Sequence, residues 1–151
     1  MKSLITQIDI AASPDKVWQV LLDFEAYPQW NPFLVSVKGE ARVGTYLDNT
    51  IRNGQRKDMR FQPEVLRVKA GREFRWKGKL FVKGLFDGEH YFKLEPVGQR
   101  HTRLIHGEQF TGVLSGLLMK MIGEDTKAGF EAMNQALKQR VERINIGSHE
   151  D

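Results

Sequence analysis

Leu4, Thr6, Ile8 and Ile10 alternate with Ile5, Gln7 and Asp9, a period of two that predicts an opening strand. Ser13 then offers an N-cap, Pro14 suits a first helical position, and Asp15 favours a first turn. Val17, Trp18, Val20, Leu21 and Leu22 form the buried side of the short helix that follows. Pro28 and Pro32 stop any regular continuation, so 24–32 is expected to make a second short helical turn over the core. From Phe33 the period returns to two, predicting strands near 33–40, 45–52, 58–69, 72–79, 85–95 and 101–111. Gly39, Gly44, Asn53-Gly54, Ala70-Gly71, Gly84 and Val97-Gly98 supply the turns between them. Pro63 falls inside one predicted strand and implies a bulge or an edge there, because proline cannot donate to a sheet ladder. Leu118, Ile122, Gly129, Met133 and Leu137 then recur at helical spacing, predicting one long helix over about Ser115 to Ile144, with Gly123 as a kink or the point where a separate, mobile first turn begins.

The pattern describes an α+β chain: a strand, two short helices, a curved antiparallel β-sheet with short connections, and a long C-terminal α-helix. The 151 residues suit one domain, placed at 1–146, with 147–151 expected as a flexible tail. Composition adds little beyond exclusions. The net charge of +4 comes from Lys and Arg that alternate with acidic residues, as in Glu73-Phe74-Arg75-Trp76-Lys77, and a solvated outer face explains that pattern. No clustered basic groove, zinc-finger spacing or phosphate-binding glycine loop points to nucleic acid. No apolar run has the length of a transmembrane segment and the N-terminus lacks a signal pattern. The absence of cysteine removes disulfides, thiolate metal sites and cysteine nucleophiles, and fits a cytoplasmic location.

The segment SPDKVWQVLLDFEAYPQWNPF resembles the opening of the START-like (SRPBCC) helix-grip superfamily: a capped helix carrying Val-Trp, then a Tyr-Pro-x-Trp turn. VLRVKAGREFRWKGKL, LFDGEHYFKLEPVG, TRLIHGEQFTG and DTKAGFEAMNQALK are similar to later segments of its polyketide cyclase/dehydrase and lipid-transport branch. The resemblance covers nearly the whole chain and implies a sheet gripping the terminal helix around a cavity. It does not imply one activity, since the superfamily includes lipid carriers, cyclases, hormone-binding proteins and co-chaperone domains.

Strand parity sorts the residues that such a cavity would see. His90, Phe92 and Leu94 share one face; so do Leu104, His106, Glu108 and Phe110; so do Phe74 and Trp76, and Met59 and Phe61. These apolar sets are expected to face the helix, which brings His90, His106 and Glu108 inward, with Asp125 on the inward half of the helix between Ile122 and Gly129. An inward carboxylate must be paired, hydrogen-bonded or neutralised. Each group also has a purely structural alternative: Glu108 pairing with a rim cation, His106 tied to a backbone carbonyl or to Glu108, Asp125 bridging a loop. Trp30, Phe33, Phe61, Trp76, Phe86 and Phe110 are the candidate aromatic lining, joined by Phe92, Leu118 and Ile122, while Trp18, Phe24 and Phe130 are assigned to packed core. Gly129 would remove volume where a ligand approaches.

Neither a metal site nor a serine-nucleophile elbow is supported, and no cofactor is expected. Three functional classes follow. The first, preferred, is binding of a hydrophobic or aromatic small molecule, lipid-like or polyketide-like, by a monomer or weak dimer. The second is a cyclase or dehydratase working by acid–base catalysis, with His106, Glu108 or Asp125 as proton carriers. The third is a co-chaperone-like interaction module. The glycine-flanked apolar stretches 84–88 and 110–118 are expected to gate the cavity, to contact a membrane transiently or a partner, or to be ordinary connections.

Overall fold

In the computed structural model the described residues are 2–79 and 87–150, with 79 and the last five by backbone alone. Phe86, the Gly84 turn and most of the stretch 84–88 lie outside them. Strand β1 (Lys2–Ile10) leads into helix α1 (Pro14–Leu21), a 3-10 turn (Phe24–Ala26) and helix α2 (Tyr27–Trp30). Strands β2 (Leu34–Lys38), β3 (Asp48–Ile51), β4 (Met59–Phe61), β5 (Glu64–Lys69), β6 (Glu73–Lys79), β7 (Asp87–Pro96) and β8 (Thr102–Thr111) precede helix α3 (Ser115–Glu150). Ser13 caps α1 as its position suggests, accepting from the Lys16 backbone N–H at 3.4 Å. The Tyr27 hydroxyl donates to the Leu21 carbonyl and ties α2 back to α1.

Among the described residues all pairings are antiparallel, but they form two sheets: five strands in the order β1-β8-β7-β6-β5 and three in the order β2-β3-β4. The expected strand 58–69 is therefore two strands in different sheets, divided at Gln62-Pro63. Pro63 has no N–H to donate, yet its carbonyl accepts from Leu47 N at 2.9 Å. Hydrogen bonds from Gly44 N to the Val65 carbonyl and from Val65 N to the Thr45 carbonyl, each 2.9 Å, hold the two sheets together at this seam.

Helix α3 packs against β1, β8 and α1. It continues past Ile144 to Glu150, so most of the stretch expected as a tail is helical in backbone. Phe130, Met133, Leu137 and Val141 are buried on its inner side. They meet Ile10, Phe74, Phe92, Leu94 and Leu104, which form the core on the sheet's concave face. This half of the interior holds the buried apolar cluster. The other half, beneath the first turns of α3, is where space remains.

Candidate functional site

Two cross-strand rows build the site. On the concave face Leu4 of β1, Glu108 of β8, His90 of β7 and Trp76 of β6 stand opposite one another. The next row is Thr6, His106, Phe92 and Phe74. Directly opposed side chains in antiparallel strands lie close enough to interact, so the register alone sets Glu108 beside His90 and Thr6 beside His106. Both imidazoles are sealed in aromatics. His90 stacks on Trp76 at 4.7 Å and 18°, and His106 stacks on Phe130 of α3 at 4.2 Å and 11°.

A continuous polar chain runs through this apolar packing, and its direction can be assigned from one end. The Thr6 hydroxyl donates to the His106 carbonyl at 2.8 Å, so it must accept from Asn134, whose amide nitrogen is 2.8 Å away. The Asn134 amide oxygen therefore faces His106 Nδ1, 2.8 Å distant, and an amide oxygen only accepts. His106 thus carries its proton on Nδ1. Its bare Nε2 accepts from His90 Nε2–H at 2.7 Å, which leaves His90 Nδ1 bare in turn. That nitrogen stands 3.4 Å from Glu108 Oε1. A lone pair there is matched by a protonated carboxyl rather than a carboxylate.

The electrostatics agree with that assignment. Desolvation pushes the Glu108 carboxyl up to about 8 and holds His90 down at about 3. Burial, together with the neighbouring His90 ring, keeps His106 well below its ordinary value. With these directions the Glu108–His90 contact is a neutral pair near pH 7, not an ion pair.

Beside Glu108 lies a cavity of about 60 Å³ lined by Phe33, Ile51, Asn53, Met59, Phe61, Gly78, Gly88, His90, Glu108, Phe110, Ile122 and Thr126. Its wall thus joins β3, β4 and the turn after β3 to β6, β7, β8 and the start of α3. Gly88 makes the room: a Cβ built there would stand 2.3 Å from Glu108 Oε2. The turn after β3 clasps the helix, with Asn53 Nδ2 donating to Thr126 Oγ1 at 3.0 Å and Arg56 donating to the Met121 carbonyl at 3.1 Å.

Of the residues proposed from sequence, Phe33, Phe61, His90, Glu108, Phe110 and Ile122 stand at this wall. His106 stands behind His90 in the chain, and Phe92 is core. Trp76 is 2% exposed and backs His90 instead of facing the cavity. Trp30 packs edge-on to Tyr27 at 5.1 Å, Leu118 is half-buried away from the wall, and Phe86 lies outside the described residues. Gly129 does give up volume, but Phe33 takes it, lying 2.4 Å from where a Cβ would stand.

Asp125 is a correction. Its side chain is 51% exposed and pairs with Arg56 at 3.5 Å, because the inward stripe of α3 runs through Ile122 and Thr126 and leaves 125 on the flank. Asn53, Thr126, Asn134 and Thr6 were missed as site residues. The spacing of four from Ile122 to Thr126 and from Phe130 to Asn134 was the available signal. Nothing local marks Asn53, which reads as a turn residue. From the stretch 110–118 only Phe110 reaches the cavity, while Val113 and Leu117 are exposed.

The sequence of residues 1–142 matches the polyketide cyclase/dehydrase and lipid transport family. The chain belongs to that family. No curated protein matches it at a significant level. Solved structures similar to this family member include an aromatase/cyclase from Streptomyces sp. R1128, at 14% identity and TM-score 0.76 over 94% of each chain. A START superfamily protein from Mycobacterium smegmatis has 23% identity and TM-score 0.71 over 94% of this chain and 98% of that one. A norcoclaurine synthase from Thalictrum has 16% identity and TM-score 0.73 over 95% and 96%. At these identities the likeness is one of fold alone. Among the described residues no helix is long and apolar enough to cross a membrane, and no group of three or more acidic or histidine side chains is arranged to hold a metal ion.

Proposed function

We propose that this protein binds a small hydrophobic or aromatic molecule in the cavity between the sheet, the β3–β4 hairpin and the first turns of α3. The observation that carries the reading is an apolar wall of Phe33, Ile51, Met59, Phe61, Phe110 and Ile122 interrupted by a neutral carboxyl. Pockets of this kind draw affinity from apolar area and orientation from a few polar groups. At about 60 Å³ the cavity is well short of the roughly 150 Å³ of a cavity that accommodates benzene. A ligand of naphthalene size therefore enters by parting the hairpin from the helix. Titration of the protein with an uncharged naphthalene fluorophore tests this: saturable binding that weakens when Phe61 is replaced by Ala is expected, and no saturable binding overturns the reading.

One observation favours a second reading. Glu108 within 3.4 Å of His90, at the cavity wall and protonated near neutrality, is an acid placed to exchange a proton with a bound carbonyl compound, as a cyclase or dehydratase requires. In that case Glu108→Gln removes turnover and leaves binding in place. A surface interaction module, the third class, has no use for such a cavity.

A further inference from the structure

Among the described residues of the cavity wall, uncommitted acceptors outnumber donors, and we infer that the ligand is a hydrogen-bond donor at its polar end: a phenol, an alcohol or an N–H compound, not a carboxylate or phosphate. The inference rests on the binding reading above and specifies the chemistry of the same site.

Glu108 comes first. Its proton is committed through Oε1 to the bare Nδ1 of His90, because the chain anchored on the His106 carbonyl leaves that nitrogen only a lone pair to offer. Its other oxygen, Oε2, lies over Gly88, a cavity-wall residue, and presents a carbonyl-type acceptor. The second group is Asn53. Its amide nitrogen is engaged with Thr126 Oγ1 at 3.0 Å, while its Oδ1 is buried without a partner. A buried unpaired acceptor is costly, and a donor brought by a ligand would relieve it. Thr126 Oγ1 accepts from Asn53 and keeps a single O–H to donate, while His90 has neither nitrogen free to donate to a ligand. An anionic head would meet two oxygen acceptors with no cation among the described wall residues.

The test is a naphthalene series at pH 7: 2-naphthol, 2,7-dihydroxynaphthalene, 2-methoxynaphthalene and 2-naphthoate, with dissociation constants from fluorescence titration. A net hydrogen bond is worth roughly fivefold in affinity, so naphthol should bind at least about fivefold more tightly than its methyl ether. The diol should bind no more weakly than naphthol, and naphthoate weakest of the four. Glu108→Leu and Asn53→Leu should each narrow the gap between naphthol and ether. Glu108→Gln should keep that gap, since its amide can donate to His90 Nδ1 and leave its oxygen toward the cavity. Equal binding of naphthol and ether, or tightest binding of naphthoate, overturns the donor inference and leaves the pocket reading standing. A Glu108→Gln variant that loses the gap while retaining the wild-type melting temperature overturns the assigned direction of the chain and the inference with it. If no member of the series binds, the pocket reading fails and takes this inference down too.

Discussion

The partner of Glu108 is an imidazole held neutral by its surroundings, and pH dependence follows from that. Between about pH 4.5 and about 8 the folded chain keeps a proton on Glu108 that the unfolded chain releases. This contribution is fully present below 4.5 and is lost as pH rises through about 8. His90 acts in the opposite sense: its neutrality supports the fold above 6.5 and costs stability as pH falls from there toward about 3. Denaturant melts across pH 4 to 9 should therefore show Glu108→Gln gaining on the wild type as pH rises. A difference that is flat with pH contradicts the neutral-carboxyl assignment. Two glycines separate site from scaffold. In Gly88→Ala the new methyl meets the far end of the Glu108 side chain, which can swing away, so stability should change by less than about 1 kcal/mol while probe binding weakens. In Gly107→Ala the methyl meets the Tyr91 ring at 2.5 Å and the Leu4 carbonyl at 2.9 Å, inside a paired strand. A loss of about 1–3 kcal/mol is expected, read from the denaturation midpoint.

Helix α3 does two jobs along one face, and the change occurs between Thr126 and Phe130. Its inner side from Phe130 to Val141 is buried against the sheet, while Ile122 and Thr126 stand over the cavity. Asn134 belongs to the packed half yet links Thr6 to His106 in the polar chain, so Asn134→Leu leaves His106 Nδ1–H without an acceptor in an apolar setting. A cost of about 1–3 kcal/mol is expected in equilibrium unfolding. The β3–β4 hairpin is the other moving part proposed here. It is held to α3 by the contacts of Asn53 and of Arg56, the latter half-exposed. Arg56→Ala should change global stability by under about 1 kcal/mol, as exposed pairs do, and should raise the association rate of a probe in stopped flow. An unchanged rate argues for a different entrance. The elements themselves were readable in the sequence, because periods of two and 3.6 are local. The division of 58–69 between two sheets was marked by Pro63, but which sheet each half joins depends on partners tens of residues away.

For the molecule as a whole, the described cavity is smaller than any aromatic ligand, so binding has to be coupled to opening. Amide exchange should be faster in 53–57 and 111–118 than in β7 and β8, and ligand should slow it in 53–57 first. Protection equal to that of the central strands, unaltered by ligand, would contradict an opening on that side. The sequence by itself determined the order of elements, the face of each strand and, through the resemblance, the family. It placed His90, His106 and Glu108 on inward parity because side chains alternate along a strand whatever its neighbours do. Parity cannot say how far along a strand the packed core ends and open space begins. Only the tertiary structure put Trp76 behind His90, turned Asp125 onto the flank of α3, and brought Asn53 from a turn to a cavity wall. Only the register of β1, β7 and β8, with α3 laid across them, joined Thr6, Asn134, His106, His90 and Glu108 into one chain. The reason is physical: a hydrogen-bond direction, and so the protonation of a buried carboxyl, is decided by groups as much as 128 positions apart in the sequence that meet only when the sheet closes on the helix.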